Sequence, residues 1–442
     1  MKGFFRLSLI LAVASTAQAK ELTLDVAIQA TLDKNPVVQN AKAEVERAAG
    51  RRLVLRAVGL PDGVVGIVGG DQGGHRAGQS SDQPFGFAYG ALVQPIFDAQ
   101  VPASYRRGDV ELLIAEQQLN IAVEEQLHGA RLAFYAALYN RSLATLRGEQ
   151  RQRLKENATA LKDRYNAGLA DRGALASAEV QTRELDPRVG TAQRGYEGAV
   201  LKLAETIGDD LNANAPMPEP TGELTYAKVD ADLSGETRRA LEHRSDLKLA
   251  RLLVKAANED QRIIAAGYYP MLNATLGGEY IPVSGIRRQG EGSPRRTDDI
   301  ISSELRIGAT YTWRVIDNGK VYGAVKRQRQ IREINELELR KLEADVPRSL
   351  ARIRNDLDAI ATKQKELLMA TAAAEQNAII VRQNLAGGIT SPLEFRLIEN
   401  SLLETKTALV TLAFQQKVAL AEWDRATGRY LQFSEDSGQN VH

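Results

Sequence analysis

The stretch Tyr165-Asn166-Ala167-Gly168-Leu169 falls on Leu385-Ala386-Gly387-Gly388-Ile389 when the chain is shifted by 220 residues, and the same shift lays Ile207-Gly208 on Thr427-Gly428. No gap is needed between the two matches. Upstream, Phe97-Asp98 answers Ile316-Asp317 one residue out of step, and Leu60-Pro61 answers Tyr269-Pro270 at a shorter offset. A duplicated unit of about half the chain explains this. Between the copies stands Ala215-Pro216-Met217-Pro218-Glu219-Pro220, whose three prolines predict an extended connector. The chain thus divides into a first repeat over 20–214, a connector over 215–232, a second repeat over 233–430 and a tail over 431–442.

Proline placement maps the helices, because an interior proline removes a hydrogen bond and clashes with the preceding turn. There is none from Ala103 to Asp186 or from Arg295 to Val346, and beyond Pro347 only Pro392 interrupts the run to His442. Within these spans apolar residues recur at spacings of three and four. One stripe is Val346, Leu350, Ile353, Leu357, Ile360, Gln364, Leu367; another is Ile398, Leu402, Thr405, Leu409, Leu412, Gln416. At 1.5 Å per residue, the helices predicted from Asp98 to Tyr165 and from Asn318 to Leu385 are each on the order of 100 Å long. Each is followed across its glycine turn by a partner of roughly 55 Å, Asp171–Ile207 and Ser391–Thr427, while Pro36–Ala57 and Asp246–Ala266 add roughly 33 Å apiece. Short plus short nearly equals long, so a cylinder of helices about 100 Å tall is expected. Pro187 and Pro347 fall inside helical patterns, where a kink or break is expected.

Between the opening helix and the long helix each copy holds an insert of period two. In strand 303–316, Leu305, Ile307, Ala309, Tyr311, Trp313 and Val315 alternate with Glu304, Arg306, Gly308, Thr310, Thr312 and Arg314. The other strands are 271–283, 62–70 and 85–97, the last with Phe85, Phe87, Tyr89 and Val93 in alternation. Polar, glycine-containing loops, Asp71–Pro84 and Ser284–Asp299, join the two pairs.

The first residues say where such strands belong. Lys2 and Arg6, an apolar run Leu7–Ala14, and Ala17-Gln18-Ala19 form an export signal at 1–19, cleaved after Ala19. No later stretch approaches the roughly 18 to 20 apolar residues of a membrane helix, and no cysteine follows the signal to carry a lipid. An exported chain with alternating strands of roughly ten residues and aromatics near strand ends fits membrane barrel strands, with Leu305, Ile307, Tyr311 and Trp313 facing lipid. Four strands cannot close a barrel when the smallest have about eight, so the edges need other copies of the chain. Two copies would supply eight strands and three would supply twelve; a wider conduit favours three.

Composition removes most chemistry. Lys+Arg 57 against Asp+Glu 56 gives a net charge of +1, which advertises neither nucleic acid nor an anionic surface. With no cysteine and four scattered histidines, thiol catalysis, disulfides and nearly every zinc motif are excluded, and neither a metal site nor a cofactor is expected. The run Gly66-x-x-Gly69-Gly70-x-x-Gly73-Gly74 lacks the GK[ST] ending of a phosphate loop and precedes no helix. Arg287, Arg288, Arg295 and Arg296 read as a solvated loop, and the layout offers no evident catalytic cleft.

These residues resemble the TolC family of outer-membrane efflux and secretion channels. Leu22-Thr23-Leu24-Asp25-Val26-Ala27-Ile28 with Asn35-Pro36 looks like the family's N-terminal helix, and Tyr165-x-x-Gly168 with Leu175 and Glu179 like its periplasmic turn motif. Leu385-x-x-Gly388 with Ser391, Leu393 and Glu399 is a degenerate second copy. The resemblance spans nearly the whole mature chain and implies a mainly α fold with a small β-barrel portion. It implies a homotrimer sharing a twelve-stranded transmembrane barrel, four strands per chain, and a twelve-helix periplasmic tunnel. Implied partners are outer-membrane lipids, a periplasmic adaptor and an inner-membrane transporter of the RND or ABC type, in efflux or type I secretion from a Gram-negative cell, with no enzymatic activity.

In that geometry the glycine turns lie at the periplasmic tip, and Asn166, Ala167, Gly168, Leu169, Ala386, Gly387, Gly388 and Ile389 face the adaptor. Family members often place acidic residues just beyond the turns, as a ring that selects cations. Glu394, six residues past Gly388, is the first candidate for such a pore constriction; Leu397, nine past, occupies a place where an acid is often found. The competing reading is a periplasmic long-helix adaptor or scaffold outside the membrane, against which the alternation from Glu304 to Val315 stands. Nothing in the residues names the cargo.

Overall fold

The computed structural model describes residues 21–76, 79–209, 217–228, 232–282 and 301–430. The expected signal, the tail 431–442 and the loop Ser284–Asp299 lie outside the described residues. These fall into two compact units, one within 1–42, 119–245 and 343–442, the other within 43–118 and 246–342. Two long helices, α3 (Val101–Asn166, 66 residues) and α8 (Lys320–Ala386, 67 residues), contribute residues to both.

In the first unit, β1 (Glu21–Leu22) pairs in parallel with β4 (Glu219–Pro220), so the proline-rich connector is extended where it is described. Helix α1 (Leu24–Lys34) starts at Thr23, whose hydroxyl accepts from the Val26 N–H at 3.4 Å. It ends at Asn35, after which Pro36 opens α2 (Pro36–Ala57). The buried Asn35 side chain accepts from Val37 N–H at 2.8 Å and donates to Gln126 Oε1 at 3.0 Å and to the Thr206 carbonyl at 2.8 Å. One amide thus starts a helix and ties it to α3 and to α5 (Asp186–Ile207). Leu22 and Ala27 pack there with Phe134, Ala137 and Leu138 of α3 and Val200, Leu203 and Ile207 of α5.

Helix α3 is followed by α4 (Arg172–Arg183) and α5, and α8 by a single α9 (Pro392–Thr427). The expected interruption at Pro187 falls slightly upstream, at Glu184-Leu185. A proline disfavours helical geometry in the residue before it, and buried Leu185 holds the break in a cluster with Leu154, Val381, Leu385 and Phe395. At Pro347 no break occurs: α8 is continuous from Lys320 to Ala386. The proline faces solvent while Val346 and Leu350 beside it are buried; burying two such side chains contributes about 1.5–3 kcal/mol each, enough to offset a proline cost of about 3 kcal/mol. The stripe read from the sequence is the buried one here, with Val346, Leu350, Ile353 and Ile360 inward. Helix α6 (Leu233–His243), started by the Asp232 carboxylate on the N–H groups of Ser234 and Gly235, completes the unit.

In the second unit, α7 (Ser245–Ala265) packs Leu249, Leu252 and Ala256 against Val110 and Ile114 of α3. Arg106 and Arg107 bond Glu259 and Asp260 at 2.9 Å each. The sheet is β2 (Asp62–Arg76), β3 (Gln79–Phe97), β5 (Met271–Pro282) and β6 (Ile301–Thr312), in the order β2-β3-β5-β6 and antiparallel throughout. The first hairpin is longer than its expected strands, and β6 ends earlier than expected. Trp313 therefore lies beyond the strand, where its indole N–H donates to the Tyr268 carbonyl at 3.3 Å.

Candidate functional site

Two surfaces in separate units carry the conduit expectation. On the sheet, directly opposed residues share a face. Leu305, Ile307 and Tyr311 are opposed by Gly278, Leu276 and Leu272; the row continues to Gly90 and Leu92 of β3, and then Val65 and Gly63 of β2. This face is apolar and bare: Val65 is 86% exposed, Ile307 80% and Tyr311 62%. Among the described residues neither edge strand, β2 or β6, has a further partner. A wide exposed apolar face beside two unsatisfied backbone edges is not a finished soluble surface.

The opposite face differs between its halves. Glu304 takes two hydrogen bonds from Arg306, at 2.7 and 2.5 Å, and opposes Glu279, which opposes Tyr89. Phe87, Tyr89 and Val93 lie on this face, with Tyr89 over Gly66 and its ring centroid 6.2 Å from that of Phe87. The period-two alternation expected in β3 is present, but its aromatics share a face with Glu304 and not with Leu305. Which face of an amphipathic strand meets which face of the next is set by register, which the strand's own sequence does not contain.

The second surface is the pair of turns in the first unit. Gly168 (φ +74°) and Gly388 (φ +76°) both sit in the left-handed region that glycine adopts without steric cost. In each the next amide reaches back into the preceding helix, Leu169 N–H to Arg164 carbonyl at 2.7 Å and Ile389 N–H to Asn384 carbonyl at 2.9 Å. Asp171 caps α4 through Gly173 and Ala174, and Ser391 caps α9 through the Glu394 N–H at 3.2 Å. Arg164 brings the turns together by donating to the Leu385 and Ala386 carbonyls at 3.2 and 3.3 Å. Leu169 and Ile389 project outward, 71% and 80% exposed. Glu394 and Leu397 are also exposed, on the side of α9 away from buried Phe395.

Sequence reasoning missed what holds the turns' helices. Glu399, 0% exposed, accepts from Arg153 Nε of α3 at 2.7 Å and from Arg382 Nη2 of α8 at 3.3 Å. Such a buried carboxylate stands only because both cations meet it. A second buried cluster lies further along α3. His128 Nδ1 meets the Tyr430 hydroxyl at 3.0 Å and its Nε2 meets Glu422 at 3.2 Å. Tyr430 donates to the Ala421 carbonyl, and Arg131, bonded to Asp424 at 2.9 Å, lies 5.0 Å from the Tyr430 ring centroid. Burial drives the His128 pKa down, against the pull of Glu422, and drives that of Tyr430 up. Among the described residues, no cluster of His, Cys, Asp and Glu could hold a metal, and no helix is long and apolar enough to cross a membrane.

Residues 237–429 match the outer membrane efflux protein family, whose members are transport proteins and not enzymes. Solved structures share the fold across nearly the whole chain. The Campylobacter jejuni CmeC outer membrane channel superposes with a TM-score of 0.79 at 13% identity, over 95% of this chain and 90% of that one. The outer membrane protein VceC of Vibrio cholerae gives 0.75 at 18% identity over 92% and 96%, and the open state of the Neisseria gonorrhoeae MtrE outer membrane channel gives 0.73 at 16% over 94% and 93%. A comparison with curated proteins finds no match. The expected fold class, mainly helical with a small β portion, is the one found, and the resemblance to outer-membrane efflux channels stands.

Proposed function

From a chain whose second half matches the outer membrane efflux protein family, we propose that three copies form a conduit through the outer membrane of a Gram-negative cell. The exposed apolar face of the sheet carries this reading. Three sheets joined β6 to β2 would close twelve strands, satisfy both backbone edges and turn Val65, Ile67, Leu305, Ile307 and Tyr311 to lipid. The face holding Tyr89, Glu279 and Glu304 then lines the lumen. The turns at Gly168 and Gly388, with Asn166, Ala167, Leu169, Ala386, Gly387 and Ile389, form the end that meets a periplasmic adaptor, itself serving an inner-membrane transporter. Glu394, repeated three times, forms a cation-selecting ring beside Leu397.

Single-channel recording in planar bilayers tests this. Small, steady, cation-selective openings are expected from the purified trimer, with weaker selectivity in Glu394→Ala. Unchanged selectivity would keep the conduit and remove Glu394 from its constriction. Folded protein that forms neither channels nor a heat-modifiable trimer would return the chain to a periplasmic scaffold.

A further inference from the structure

Between α3, α8 and α9, within about four helical turns of the glycine turns, lies a cavity of about 190 Å³. Its polar wall carries three arginines, Arg153, Arg164 and Arg382, beside Asn157 and Glu156. The one carboxylate there, Glu156, already accepts from Gln152 at 2.9 Å. Arg382 uses only Nη2, on Glu399, and Arg164 only Nη1, on two carbonyls, so both keep further N–H groups. The floor is different in kind: buried Leu161, Leu385 and Phe395 are apolar.

We propose that this cavity binds a small amphiphilic carboxylate, its oxygens taken by Arg164 and Arg382 and its apolar body laid on Phe395. Guanidinium donors match a carboxylate in charge and in planar, two-pronged geometry. The volume lies below that of drug-sized sites and limits the occupant to a body of about one aromatic ring.

Benzoate titrated calorimetrically into the intact purified protein should bind saturably, one per chain. Arg164→Gln and Arg382→Gln should each weaken binding tenfold or more, and Ala160→Trp, which fills the space from its exposed rim, should abolish it. Arg348→Gln, an exposed arginine outside the cavity, should leave it unchanged. Neutral benzamide should bind at least tenfold more weakly than benzoate. Absence of saturable binding by the wild type, equal binding of benzamide, or binding indifferent to all three cavity variants would overturn the assignment. Channel formation is not the readout, so the result stands apart from the conduit reading.

Discussion

The two copies of the duplicated unit share one turn and differ in the helices it leads into. Gly168 and Gly388 have nearly the same φ, and each is followed by a side-chain cap three residues on, Asp171 or Ser391. Beyond the cap they part. Pro187 splits the first descending segment into α4 and α5, whereas its counterpart Thr407 lies within an unbroken α9 of 36 residues. Glu179 is exposed, with no ion pair among the described residues, while its counterpart Glu399 is buried between Arg153 and Arg382. Turn chemistry is local and survives duplication; helix continuity and buried charge depend on neighbours and have diverged.

Exchanging the divergent residues should show which of them matter. Thr407→Pro would put the first copy's proline into the interior of α9 and should cost about 3 kcal/mol or more. The reverse change, Pro187→Thr, should be within about 0.5 kcal/mol of neutral and should slow hydrogen exchange around Glu184 and Leu185 as α4 and α5 join. A melt of Thr407→Pro that matches wild type would show the unbroken helix to be incidental.

The paired glutamates give the next largest contrast. Glu399→Ala leaves Arg153 and Arg382 facing a buried void, and a loss of about 3 kcal/mol is expected, at the low end for a broken buried pair because Arg382 is half exposed. Glu179→Ala should stay within about 0.5 kcal/mol of wild type. Equal effects in denaturant titrations would refute the asymmetry.

For the turns themselves, alanine at either glycine forces a left-handed backbone on a residue with a Cβ, at roughly 1–2 kcal/mol. Gly388→Ala should be the worse of the two. A Cβ there would stand 3.0 Å from Arg164 Nη2, on the guanidinium whose Nη1 ties the turns together, whereas nothing lies within 4 Å of one at Gly168. Differential scanning of both variants gives the ranking.

The smallest effect is a pH slope. Burial lowers the His128 pKa below its usual 6.5, so between the folded value and 6.5 the unfolded chain binds more protons than the native one. Stability from this site is therefore complete above 6.5 and declines as pH falls through that window. Melting temperatures at pH 7.5 and 5.5 should differ less in His128→Gln than in wild type; equal slopes would mean that the ring titrates as freely folded as unfolded.

Much of this molecule is legible in its sequence. The turns are legible because a glycine after Asn166-Ala167 or Ala386-Gly387 declares a backbone requirement that no neighbour has to supply. The stripe Val346, Leu350, Ile353, Ile360 is legible because periodicity is written along a single helix. The face of Phe87 and Tyr89 is not, since it turns on pairing with Glu279, nearly two hundred residues away in the chain. Nor is the continuity of α8 at Pro347, where burial of Val346 and Leu350 outweighs a local signal that points to a break. The Arg153–Glu399–Arg382 triad and the arginine-lined cavity beside it share that cause. Short-range sterics and period determined the elements, the duplication and the turns from the sequence alone. Only tertiary structure decided which strand faces coincide, which charges are buried together and where arginines gather around a cavity, because those depend on contacts between residues far apart in the chain.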